Sequence, residues 1–240
     1  MAITETGGPA GVEATLALAD WRRTVAALYA EVRERSATAP ADALAVWRST
    51  RERLYREHVQ SPVPAATRAT FRAHHFDHDP SLRFEVVVEG LEAEPGEPER
   101  DDQGADAFGG LGSMGLGGLS IDLPVSAGAA MAFQRFGAVT IPFPGGPRRL
   151  ELFWMEGYAG GLFLPFRDAT NGRETYGAGR YLLDAAKGAD LGAGSAPNSL
   201  VLDFNFAFQP SCAFDPKWAC PLAPPSNRLD LEVRAGERLG

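Results

Sequence analysis

Glu174, Tyr176 and Arg180 place an acid, a phenol and a fixed cation within seven residues of one another. General acid–base chemistry uses such groups when burial shifts their pKa values. Asp203 and Asn205 form a second polar pair. If 200–208 is a strand, Leu200, Leu202, Phe204, Phe206 and Phe208 share one face, and Asp203 and Asn205 share the other with Val201 and Ala207. The first face reads as core, the second as solvent-facing surface or the wall of a polar cleft. A buried Asp203 would need a cation or several N–H donors, and Arg180 is an available cation. If these groups meet, Glu174 or Asp203 is the candidate general base, with Arg180 stabilising developing charge. Tyr176, Arg180, Asn205 and Asn227 would then hold a ligand. A surface pair or a structural ion pair is an equally good reading of Asp203.

Three further groups carry ligand-type chemistry. His74, His75, His78 and Asp79 offer imidazoles and carboxylates for Zn or Fe, but Pro80 follows and no third ligand is fixed by spacing, so a polar turn entering a strand is favoured. Cys212 and Cys220 are the two cysteines. Their spacing is not that of a zinc finger, and buried thiols are commonly inert. Joined, they would close a nine-residue loop and stabilise the fold by about 2.6 kcal/mol; a reducing compartment favours free thiols. Asp168, Thr170, Asn171 and Gly172 read as a turn closed through its own side chains. No Rossmann, Walker or Gly-x-Ser-x-Gly motif is present, so neither a cofactor nor a metal is expected.

The formal charge of −8 argues against a nucleic-acid surface. No run approaches the roughly 18–20 apolar residues of a membrane span, and Met1 to Gly11 lack the basic and apolar regions of a secretory signal. A soluble cytoplasmic protein whose partner is a small molecule is expected; the oligomeric state is not legible.

The elements that must position these groups change period along the chain. Trp21, Val25, Leu28 and Val32 recur at helical spacing, predicting a helix over 16–36. A second, capped by Thr38 with Pro40 in its first turn, runs to about Gln60 and offers Leu44, Trp47, Leu54 and Tyr55. From Leu82 the alternation becomes that of strands: 82–88, 119–123, 136–143, 150–154, 161–166, 179–185, 200–208 and 228–234, with Pro144 to Pro147 as a hairpin turn. Residues 92–118 and 187–198 read as loops. The expectation is a mainly β (α+β) fold, an antiparallel β-sandwich or barrel (63–240) behind an N-terminal helical arm (1–62).

Phe166 to Gly172, Glu174-Thr-Tyr176, Gly179 to Leu182, Asp203-Phe-Asn205, Cys212-Ala-Phe214, Cys220-Pro-Leu222, Asn227 and Ala235-Gly-Glu237 together resemble the domain-of-unknown-function 1684 family. The resemblance covers about 45–237 and is strongest in the last third. It implies a helix followed by a β-rich body with the signature at its C-terminal end, and it implies no activity. Gln209, Ala223 and Ser226 depart from the pattern, where Asn, Pro and Glu are expected. The leading expectation is therefore a polar-aromatic pocket for a small organic ligand, with acid/base catalysis open. The alternatives are a non-catalytic structural or partner-binding protein, and a metal-dependent enzyme using Cys or His ligands.

Overall fold

The computed structural model describes residues 9–91, 119–128, 130–156 and 160–240. The loop expected at 92–118 lies outside them. Helix α1 spans Pro9–Ser36 and α2 spans Pro40–Glu57. Thr38 does not cap α2. Its amide and that of Ala39 both return to the Arg35 carbonyl, so these residues finish α1. Ala39 stands at the N-cap without a side-chain bond, and Pro40 starts the helix with its preset φ. Val25, Leu28, Tyr29 and Val32 of α1 meet Ala43, Leu44, Trp47 and Leu54 of α2 in one buried cluster. The Trp47 indole N–H donates to the Tyr29 hydroxyl at 3.1 Å, satisfying both polar tips inside that apolar contact.

A seven-stranded sheet follows. It comprises β2 (Arg83–Gly90), β3 (Leu119–Leu123), β4 (Met131–Phe143), β5 (Gly146–Met155), β6 (Leu162–Phe166), β7 (Arg180–Asp184) and β8 (Ser199–Asp203). Its order is β7-β6-β5-β4-β2-β8, with β3 beside β4. Every pairing between these strands is antiparallel. A mainly β fold with an N-terminal helical arm is what the chain forms. Strand β4 serves two neighbours: Met131–Arg135 pairs with β3, and Gly137–Val139 pairs with β2. The register against β5 shifts at the changeover, between Arg135 and Gly137. Only glycine fits there, since a Cβ at 137 would lie 2.9 Å from the Glu89 carbonyl oxygen.

The sheet curls into a half-barrel. Beyond β8 the chain returns to the opposite edge, where the Tyr181 and Phe208 amides each donate to the other's carbonyl at 2.9 and 3.0 Å. Val139, Leu150, Leu152, Leu164, Leu182 and Leu202 fill one face. Phe133, Phe153, Phe163, Tyr181 and Val201 point to the other, where the helices cover them.

Two predicted strands differ from the structure. The strand expected over 200–208 stops at Asp203, because the Asp203 carboxylate accepts the Asn205 amide at 3.0 Å. That local bond competes with the ladder and winds Phe204–Phe206 into a 3₁₀ turn. The aromatic residues therefore divide. Phe204 enters the barrel side, while Phe206 and Phe208 join the helices. The strand expected over 228–234 is only a short parallel pairing with 167–169, in which the Arg167 amide donates to the Asn227 carbonyl at 2.9 Å, the Leu229 amide to the Arg167 carbonyl at 2.8 Å and the Ala169 amide to the Leu231 carbonyl at 2.9 Å. The chain bends at 230–231, and the short pair β1 (His74–His75) with β9 (Glu237–Arg238) forms beyond it.

Candidate functional site

The Arg180 side chain is fully buried. Its guanidinium donates to the carbonyls of Val233 (2.7 Å), Glu237 (3.2 Å) and Ala235, and lies 3.5 Å from the Asp168 carboxylate. Burial lowers its pKa, and Asp168 opposes the shift. Asp168 in turn accepts the Val233 amide at 2.7 Å and the Thr170 hydroxyl. Asn171 accepts the Asp168 amide and donates to the Tyr176 carbonyl, so 168–172 is the side-chain-closed turn its sequence suggests. The Arg180 fork thus does for residues 233–237 what a neighbouring strand would have done.

Glu174 reaches the same C-terminal run. Its carboxylate pairs with exposed Arg234 at 3.0 Å and its carbonyl accepts the Leu239 amide at 2.8 Å. The other candidates lie elsewhere. Asn205 donates to Asp203 (2.8 Å) and to the Asp79 carbonyl (2.8 Å), and accepts the Asp79 amide (2.9 Å), which clamps the lead-in to β2. Burial raises the Asp203 pKa and the Asn205 donors oppose that. Asp203 borders a groove with Arg33, Arg83 and Glu85. Asn227 accepts the Glu151 amide at 2.8 Å and donates to the carbonyls of Glu151 and Pro165, tying β5 to β6. The Tyr176 phenol is pushed up to about 12 by burial and by its hydrogen bond to Cys212. Only Arg180 and Glu174 are therefore brought to a common segment.

That segment walls a recess of about 160 Å³. Tyr55 from α2, Phe71 and Phe214 form its aromatic side, with ring centroids 5.0–5.8 Å apart. Arg72 and Arg238 form the cationic side, and His74, Gln209 and Glu237 complete the lining with Leu239. Arg72 and Arg238 each make one hydrogen bond among the described residues, leaving most of their five donors open. Behind the lining, buried Arg51 donates to Glu237 at 2.7 Å and stacks over Trp47, Tyr55 and Phe208. Burial works against the Arg51 charge, but Glu237, Tyr55 and Tyr29 together outweigh it and the pKa rises. The Tyr55 pKa is driven well up by burial, against the pull of Arg51. Glu237 also accepts the Gln209 amide at 2.8 Å.

Gln209 is 7% exposed. Its Nε2 donates to the Arg238 carbonyl, and its Oε1 has no partner. Turning the amide over would set two acceptor oxygens together, so the unsatisfied atom remains an acceptor. On the far side of Tyr55 and Gln209 lies a second, smaller recess of about 50 Å³, lined by Arg51, Asp184 and Lys187.

Sequence reasoning did not single out Arg51 or Phe71 and named Gln209 only as a departure from the family pattern; Tyr55, which α2 was expected to offer for packing, is 3% exposed. Glu237 stood inside the Ala235-Gly-Glu237 block, which was the available signal. Gly236 between them has φ +76°, and a Cβ there would collide with the Ala207 carbonyl. Among the described residues no three His, Cys, Asp or Glu side chains come together to hold a metal ion, and no helix is long and apolar enough to cross a membrane.

Residues 117–238 match the model of a family described as a protein of unknown function (DUF1684). The chain belongs to this family. The match takes in β3 to β9, and with them Arg180, Gln209 and Glu237. The solution structure of an uncharacterised protein from gene locus rrnAC0354 of Haloarcula marismortui is 31% identical, with a TM-score of 0.54. The likeness covers 83% of this chain and 94% of that one, so it reaches beyond the residues that the family model matches. The chain matches no curated protein.

Proposed function

We propose that this DUF1684 protein binds a small single-ring organic anion in the recess between α2, residues 71–74 and the C-terminal run. The observation that carries the reading is the orphaned Gln209 Oε1, a buried acceptor without a partner in a wall that also holds the open donors of Arg72 and Arg238. Such an atom costs about 1–3 kcal/mol unless a donor reaches it. An engineered cavity of about 150 Å³ holds benzene, so 160 Å³ suits one ring. The Tyr55, Phe71 and Phe214 faces would hold that ring, Arg72 and Arg238 its charged group, and Gln209 a hydroxyl or N–H. Apolar walls with a few convergent polar groups are the usual make-up of a ligand site. In this reading Arg180 and Glu174 are positioning residues: they hold the backbone that presents Glu237, Arg238 and Leu239.

Ligand-observed NMR with a panel of hydroxybenzoates, aminobenzoates and their uncharged amides tests this. Carboxylates should bind with Kd below about 1 mM, and Gln209→Leu should weaken a hydroxylated member about tenfold at unchanged Tm, since Oε1 supports nothing in the empty fold. Equal or absent binding of acids and amides refutes it. One observation favours the rival structural role: Arg180, Asn205 and Asn227 are all fully buried and bonded to backbone.

A further inference from the structure

Cys212 and Cys220 are unlinked and buried, 6% and 4% exposed. The Cys212 amide donates to the Cys220 sulfur at 3.3 Å, and the two thiols hydrogen bond to each other. Each is held by its own framework. Cys212 sits in the 3₁₀ turn Ser211–Ala213. The backbone of Cys220 is fixed to Ser126, whose amide donates to the Cys220 carbonyl at 3.0 Å while its hydroxyl accepts the Cys220 amide at 3.0 Å. The Tyr176 hydroxyl also bonds to Cys212; the one Ser126 hydroxyl hydrogen goes instead to the Trp218 carbonyl at 2.7 Å. Donors such as the Cys220 thiol and the Tyr176 hydroxyl favour a thiolate at Cys212.

We propose that Cys212 and Cys220 are a peroxide-responsive dithiol that closes to an intramolecular disulfide, with Cys212 as the sulfur that meets the oxidant. The Cys220 thiol and the Tyr176 hydroxyl bring Cys212 down to about 6 against the effect of burial, while the same Cys212 contact and burial push Cys220 up. Lys187 and Tyr181 also act on Cys220, and Lys187 favours its charge. The Cys212 thiolate attacks the terminal oxygen of a hydroperoxide; an S–O bond forms, the O–O bond breaks, and the alkoxide or hydroxide leaves with the proton Cys212 had released. The Cys220 sulfur then attacks the Cys212 sulfenic acid; the S–S bond forms, the S–O bond breaks, and water leaves with the Cys220 proton. Two thiols are oxidised and one peroxide is reduced. Near-complete burial favours a small oxidant, hydrogen peroxide, over a protein disulfide. Ala213 and Phe214, the residues that follow Cys212, line the aromatic recess.

The test treats the full folded chain with hydrogen peroxide, blocks remaining thiols and maps tryptic peptides without reduction. The expected product joins peptide 188–217 to peptide 218–228 and is reversed by dithiothreitol. Cys220→Ser should instead accumulate a dimedone-reactive sulfenic acid on Cys212, and Tyr176→Phe should slow the reaction several-fold. The proposal is overturned if the native thiols oxidise no faster than those of the urea-unfolded chain, if Cys212→Ser leaves Cys220 equally reactive, or if the disulfide joins two chains. None of these outcomes depends on whether the recess binds an organic anion.

Discussion

Glu237→Gln removes one charge from a pair that is buried on both sides. Arg51 is 6% exposed and Glu237 2%. The substitution keeps an oxygen for the Gln209 amide and the Tyr55 hydroxyl, which lie 2.8 and 3.2 Å from the carboxylate. It leaves the Arg51 guanidinium without a counter-charge, facing the Trp47, Tyr55 and Phe208 rings. Those rings favour a cation but return only about 0.5–2 kcal/mol each. Removing one member of a buried pair costs about 3–5 kcal/mol. In a chain of this size each kcal/mol moves Tm by about 2–4 °C, so melting should fall by about 6–20 °C by calorimetry. Adding Arg51→Met removes the stranded charge and should recover part of the loss, with a coupling of about 2 kcal/mol or more. A single variant melting within about 2 °C of the parent, or a double variant whose losses simply add, would refute the view that this pair is dry and interdependent.

Two further predictions concern the frame of the recess. His75 packs edge-on to Trp47 and is held down to about 4, mainly by burial, with Arg48 and Arg51 adding to the shift and Glu237 opposing it. Between pH 6.5 and 4 the unfolded chain binds this proton and the folded chain does not. The contribution of neutral His75 is thus whole above pH 6.5 and lost as pH falls toward 4, by about 2 kcal/mol after allowance for partial exposure. Urea titrations at pH 7 and 4.5 should show that loss, and His75→Phe should shrink it. Gly236→Ala combines an unfavourable φ with a backbone collision. It should cost more than about 3 kcal/mol or prevent folding, as circular dichroism would report.

Most of the architecture was legible because it rests on periodicity. The hairpin β4–β5, the alternation in β2 and the apolar stripes of both helices are written in residue spacing. Where the reading failed, a side chain replaced a backbone partner. Asp203 capturing the Asn205 amide ended a strand that alternation would have continued. The bend at 230–231 cut the strand expected over 228–234 to a short pairing with 167–169, and the Arg180 fork holds the carbonyls beyond it. The signature residues were conspicuous, yet type and spacing do not say whether a buried guanidinium faces a ligand or three carbonyls. The recess stayed hidden for a further reason: Tyr55, Phe71, Gln209 and Glu237 come from segments with no local pattern in common, and an orphaned amide oxygen exists only once the chain has folded.

The Arg51–Glu237 contact joins positions 186 residues apart, and the Arg180 fork joins others more than fifty apart. Closures of such length carry a high entropy cost and come late in folding. The hairpins of the sheet need neither. A chain can therefore own its hairpins while the hollow beside α2 does not yet exist, and formation of the Arg51–Glu237 pair reports completion of folding where hairpin content alone does not.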